Sequence, residues 1–373
     1  MMMHGMYPQV LILWLHFLGI VLLLGAVVFR WLVLSPSLKV LDPNFPEVIK
    51  KVEAISGGDL KRWVGGCLIL LAVVSFPDLI LRVQMMSKKP LAEVPALLPL
   101  VLFQTHIGKV WLARIFLLGL SGVLWVFIRD RRQPVCLILL LLLGVGLSLL
   151  TTLSGHAVSK GDLSLAVFAD WLHIMTVSSW VGGLVPLRFL MPRLTAPVEK
   201  KERYLFEAAV IQRFSTLAVC CVGILVLTGT FEAWLHLRSP SRLIATGYGV
   251  TLLFKLALVI PMLALGGLGR YYVRPALQTA IGEPVPESFI KRIFARTVSL
   301  LGGPTESDDY RLLHRGYASP RMALLHFRIF VALQCLLAIG VLGVTSLLTQ
   351  TSPPDLTGFT APGDSSEMHD MEM

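Results

Sequence analysis

The sequence predicts an all-α polytopic membrane protein, its eight transmembrane helices arranged as two parallel four-helix repeats. Three observations carry this. Of 373 residues, 55% are hydrophobic and only 15% charged, against roughly 25% charged in an average soluble domain, and the mean hydropathy is +0.74. The apolar residues gather in eight runs, each near the ~20 residues that cross a bilayer. Short motifs of the first half return in the second. This composition excludes a disordered chain and an ordinary soluble enzyme. A net charge of +10 would normally suggest nucleic acid. Here the basic residues lie in short connections between apolar runs, so the expected partner is the lipid bilayer and no nucleic acid.

The runs fall at 10–31, 63–82, 108–128, 135–153, 165–190, 212–236, 249–269 and 323–348. The second holds Pro77 and Asp78 near its end and is the least regular; the sixth runs into a polar stretch near Glu232. The first run is long enough to span, and no Lys or Arg precedes it, so no cleavable signal peptide is expected. Of the 33 Lys and Arg residues, 24 lie in the odd-numbered connections and their flanks. That excess places those connections in the cytoplasm and both termini in the periplasm. In the longest connection, 270–322, Glu287–Leu301 reads as a basic amphipathic helix lying at the interface. All five cysteines sit in apolar runs without a C-x-x-C pair, which reads as packing and not as a disulfide framework or zinc module.

The repeat is read from paired motifs. Trp14-Leu15-His16 returns as Trp171-Leu172-His173, and Gly25 returns as Gly182, at the same offset of 157. Thr105-x-x-Gly108 with Arg114 returns as Thr246-x-x-Gly249 with Lys255 at an offset of 141. The units are then 1–160, and 161–350 with the cytoplasmic insertion 270–322, followed by a tail at 351–373. Units of four helices enter from the same side and are related by an axis along the membrane normal. His16 and His173 become symmetry mates, roughly 9–12 Å below the outer surface. They are expected to converge on one ligand, as facing helices of bundles do around metals and haem.

Seven of nine histidines and nine of thirteen methionines fall on the outer side of this topology. Thioether with imidazole suits Cu(I). The tails are the clearest case: Met1-Met2-Met3-His4-Gly5-Met6 and Met368-His369-Asp370-Met371-Glu372-Met373. Asp170 precedes His173 by three residues and shares its helix face. It could orient the imidazole or neutralise a cation, or it could pair with Arg114 or Lys255. Arg114 and Lys255 either snorkel or take Asp78 and Glu232 as counterions. His156, His106 and His236 are placed at the outer mouth and rim. The candidate metal ligands are therefore His16, His173, His156, Asp170, His106, His236, His4, Met368, His369, Met371 and Met373.

At these residues the sequence resembles a known family. Ser154-Gly155-His156-Ala157, Asp170-Trp171-Leu172-His173, Trp180-Val181-Gly182-Gly183-Leu184-Val185-Pro186-Leu187, Arg213-Phe214-Ser215, Leu227-Thr228-Gly229 and Thr246-x-Tyr248-Gly249 with Lys255-Leu256 look like the signature of the bacterial copper resistance protein D (CopD) family. Leu15-His16 and Pro353-Pro354 match too, so the resemblance covers about 10–354. It implies an eight-helix inner-membrane protein that moves copper between periplasm and cytoplasm in copper homeostasis. It also implies a periplasmic copper-binding partner of the CopC type, expected here as a separate chain. The connection 270–322 departs from the compact family pattern. Two alternatives stand beside copper transport. One is a bis-histidine haem b protein for electron transfer or metal reduction; the other is a copper-binding scaffold or sensor without flux. No nucleophile elbow, phosphate loop or cysteine-based centre is present, so enzymatic activity is not expected.

Overall fold

In the computed structural model, residues 2–41, 43, 46–127, 133–155, 161–162, 164–273 and 320–351 are described. Among them are eight helices long and apolar enough to cross a membrane, and no strand. In chain order they are α1 (Met2–Val28), α2 (Pro46–Ser87), α3 (His106–Val126), α4 (Gln133–Leu153), α5 (Leu165–Phe189), α6 (Lys200–Leu237), α7 (Gly247–Leu268) and α8 (Pro320–Leu348). A short apolar helix, Val94–Gln104, precedes α3. Of the connection 270–322, residues 274–319 with the amphipathic segment, and the tail 352–373, lie outside the described residues.

Two helices run well past their apolar stretches. α2 has 42 residues, about 63 Å at 1.5 Å per residue. Its first turns carry Glu47, Lys50, Lys51, Asp59 and Lys61, too much charge to register as a span. They stay helical because Val52, Ser56 and Leu60, four residues apart, form one buried stripe. α6 likewise begins at Lys200, with Phe206, Val210 and Phe214 as its inward face.

Two buried cores organise the described helices. One gathers Ile20, Leu24, Val64, Leu71, Leu118 and Leu147 from α1–α4. The other gathers Leu184, Phe206, Phe214, Met262 and Ala338 from α5–α8, together with Phe29 and Val33 beyond α1. α1 thus serves both, and it crosses α5 at Gly25 and Gly182. A methyl on Gly25 would run into the Gly182 backbone, and one on Gly182 into the Val21 carbonyl. In lipid, where burying apolar surface between helices drives little, such backbone approach at small residues holds helices together.

The two Thr-x-x-Gly motifs adopt one geometry. Thr105 Oγ1 accepts from the Gly108 N–H at 3.1 Å and donates to the Val101 carbonyl at 2.7 Å. Thr246 Oγ1 accepts from the Gly249 N–H at 3.0 Å and donates to the Arg242 carbonyl at 2.7 Å. Each is the N-cap of its helix. These caps fix the register of α3 and α7, and so the depth of Arg114 and Lys255 six residues further along.

Candidate metal centre

His16 lies on α1, 2% exposed. Its Nε2 is 3.1 Å from Thr151 Oγ1 on α4. Thr151 Oγ1 also lies 2.9 Å from the Leu147 carbonyl, and with its proton donated there the threonine oxygen accepts from the ring. His16 is therefore the Nε2–H tautomer, and Nδ1 keeps its lone pair. That Nδ1 is buried without a hydrogen-bond partner.

His173 on α5 repeats this logic with the nitrogens exchanged. Its Nδ1 is 2.9 Å from Thr228 Oγ1 on α6, whose proton goes to the Ile224 carbonyl at 2.9 Å. His173 donates through Nδ1–H, and Nε2 carries the lone pair. Gly229 leaves room beside the ring, since a Cβ there would meet His173 Cε1 at 3.6 Å. A helix threonine thus does for each imidazole what carboxylates and carbonyls do behind metal-bound histidines: it fixes the tautomer and aims the free nitrogen.

Charged groups surround the two rings unequally. Near His16, Asp78 binds Arg114 Nη1 at 3.0 Å and Arg82 Nε at 2.8 Å. Arg114 Nη2 donates to Ser154 Oγ at 2.7 Å, and Arg82 to the Ser154 carbonyl at 2.9 Å. His16 lies in the field of all three charges. Near His173, Lys255 and Tyr248 lie in the field of Asp170 and Glu232, and Asp170 lies within side-chain reach of Thr152. One carboxylate against two guanidiniums makes the first cluster formally cationic. The second gathers two carboxyl groups around one amine.

Of the two expected counterion pairs, Asp78 with Arg114 is present as an ion pair, while Glu232 and Lys255 are near enough to feel each other's charge but form no ion pair among the described residues. Asp170 joins His173 in the field of Lys255. His236 sits at the rim of that cluster, its ring 5.5 Å from that of Tyr248. His106 is apart, with Nε2 3.2 Å from Asp162. The two imidazoles expected to converge each engage their own helix pair, and no hydrogen bond or ring contact among the described residues joins them. Nor do the described residues contain a group of three or more His, Cys, Asp or Glu poised around a metal position. His156, Met368, His369, Met371 and Met373 lie outside the described residues, and His4 is described only as part of α1.

Sequence reasoning missed Thr151, Thr152, Arg82 and Gln9, and had Thr228 only as part of a family motif, with no role at the histidine. Gln9, two turns before His16 on the same helix face, is buried with its Oε1 unpartnered. Intramembrane hydroxyls at the depth of the histidines were the signal for the threonines.

Comparison with known proteins follows this geometry. A family model described as "Copper resistance protein D-like, N-terminal domain" matches residues 2–165, and one described as "Copper resistance protein D" matches 208–303. Copper resistance protein D of Pseudomonas syringae pv. tomato is 30% identical over 220 residues, 57% of this chain and 68% of the relative. The chain belongs to the copper resistance protein D family. Copper transport protein CutJ of Bacillus subtilis (strain 168) is 28% identical over 191 residues, 49% of this chain and only 34% of the relative, so the chain spans about a third of that protein. No solved structure matches. The signature residues of the family resemblance converge in space: Asp170, His173, Thr228, Gly229, Tyr248 and Lys255 all belong to the cluster around His173, and Ser154 anchors the cationic one.

Proposed function

We propose that this copper resistance protein D family member carries copper across the inner membrane, as a transporter and not an enzyme. Membership of the family supports a role in copper handling. The observation that carries the reading further is the threonine hydroxyl that each intramembrane histidine engages. Thr151 and Thr228 spend their protons on their own helices. Each ring is left with one lone pair, His16 Nδ1 and His173 Nε2, and the first has no acceptor role inside the protein. Imidazole is a good ligand for copper in either common oxidation state.

The asymmetry of the two clusters orders the steps. Copper is first held at His173, where Asp170 and Glu232 outnumber Lys255, and His16 Nδ1 receives it next. The cationic Arg82–Arg114 pair around Asp78 lowers affinity there, which favours release over retention. Both termini are periplasmic in this reading, so His4 and the tail residues Met368, His369, Met371 and Met373 collect the ion, with His156, His106 and His236 at the mouth. A separate CopC-type protein is a fitting donor. The units 1–160 and 161–350 are two copies of one four-helix design; the identical Thr105 and Thr246 caps and the Gly25–Gly182 crossing support this.

The test is copper accumulation by whole cells producing wild type, His173→Ala, or His16→Ala/His173→Ala at equal membrane abundance. Loss of the wild-type difference in the double variant supports the reading. Unchanged accumulation removes transport, and with retained copper binding it leaves a scaffold or sensor. A Soret band in the purified protein, abolished by the same substitutions, would replace copper by haem b.

A further inference from the structure

A cavity lies at the arginine-rich ends of the helices, away from His16 and His173. It holds about 390 Å³ between α1, α2, α5 and the chain just beyond α5. Its lining joins a polar group, Arg30, Arg62, Arg193, Asp59 and Trp63, to an apolar one that includes Leu22, Cys67 and Leu70. From Arg30 back to Leu22 is eight residues, roughly 12 Å along the helix.

The polar lining is not satisfied by the protein itself. Arg30 is 7% exposed; its Nη1 reaches Ser35 Oγ at 3.2 Å, but its Nε has no partner. The Trp63 indole N–H is buried without an acceptor, and so is Asp59 Oδ2 without a donor. Asp59 Oδ1 holds Arg62 at 3.0 Å and Arg193 at 3.1 Å. Both arginine side chains are mostly exposed and keep donors to spare. Three guanidiniums therefore face one lining carboxylate, with Glu53 near Arg30. Buried donors left open cost free energy unless an acceptor arrives, and guanidinium forks suit phosphate oxygens.

Two of the lining residues, Arg62 and Gly66, also belong to an exposed stripe of α2. Arg62, Gly66, Ile69, Val73 and Phe76 recur at helical spacing and are all exposed. A ligand that matches the charged lining, the apolar lining and this stripe has an anionic phosphate head and an acyl chain. We propose that the cavity binds an anionic glycerophospholipid of the adjoining leaflet, its phosphate on Arg30, Arg62 and Arg193, its glycerol ester oxygens on the Trp63 N–H, and one chain running past Gly66. The site is independent of the copper reading.

Native mass spectrometry of the detergent-purified full chain tests this, with phosphatidylglycerol, phosphatidylcholine of the same acyl chains, and inorganic phosphate as separate additives. Phosphatidylglycerol should be retained about tenfold over phosphatidylcholine, and Arg62→Gln/Arg193→Gln should erase most of that preference. Gly66→Leu fills this space from an exposed position where an added Cβ meets nothing within 4 Å. It should fold, by an unchanged melting curve, and lose the lipid. Equal retention of the two lipids, full retention by Gly66→Leu, or displacement of phosphatidylglycerol by inorganic phosphate alone would each overturn the proposal.

Discussion

Replacing Thr151 by valine keeps the shape of the side chain and removes the only acceptor of the His16 ring. The structure lets the cost be worked out. His16 is 2% exposed, so water does not replace the lost partner. Moving the proton to Nδ1 does not help either, because Nδ1 has no partner of its own. One buried N–H is left unpaired in either tautomer, a loss of about 1–3 kcal/mol. The proton also no longer has a fixed home, so the nitrogen offered to copper is blocked part of the time, and affinity should fall about 10–100-fold, as for other groups that orient metal-binding histidines. The assays are thermal unfolding of the detergent-purified protein and a Cu(I) competition titration. Thr151→Ser, which keeps the hydroxyl, should restore both. If Thr151→Val melts with wild type and binds copper equally well, the hydroxyl does not set the tautomer and the argument for a free Nδ1 fails.

Asp78→Asn should cost about 3–5 kcal/mol, because it strands the buried Arg114 guanidinium without its counterion. Asp78→Asn/Arg114→Met should recover most of that loss in the same melting assay. Gly182→Ala should weaken the α1–α5 crossing strongly, since the new methyl meets the Val21 carbonyl. Gly58→Ala, where nothing lies within 4 Å, should be neutral or gain up to about 1 kcal/mol. Thr105→Ala and Thr246→Ala should each lose about 1 kcal/mol of N-cap stabilisation, and similar losses at the two sites would show that the matched caps do matched work.

Much of this fold was legible because a bilayer imposes a crude length rule on apolar runs, and all eight runs became helices. The rule fails where a helix leaves lipid. The charged first turns of α2 and α6 looked like connection, yet Val52, Ser56 and Leu60, or Phe206 and Val210, bury one face against neighbours. Gly25 and Gly182 were paired from their common offset, and their contact follows from having no side chain. The Asp78–Arg114 pair was legible from depth and charge alone, since unpaired ions are too costly in the membrane. Thr151 and Thr228 were not. A hydroxyl in a transmembrane helix usually just satisfies its own backbone, and only the position of the neighbouring helix reveals that its oxygen also serves a histidine. For the same reason the convergence of His16 and His173 could not be read from spacing: an offset fixes depth, while rotation about each helix axis decides what a ring faces.

The most direct measurement is X-ray absorption at the copper edge of the purified, copper-loaded protein, with metal content determined on the same samples. The account predicts imidazole scattering and bound copper in wild type, reduced by His173→Ala and lost in His16→Ala/His173→Ala. An unaltered spectrum and copper content in the folded double variant would contradict it.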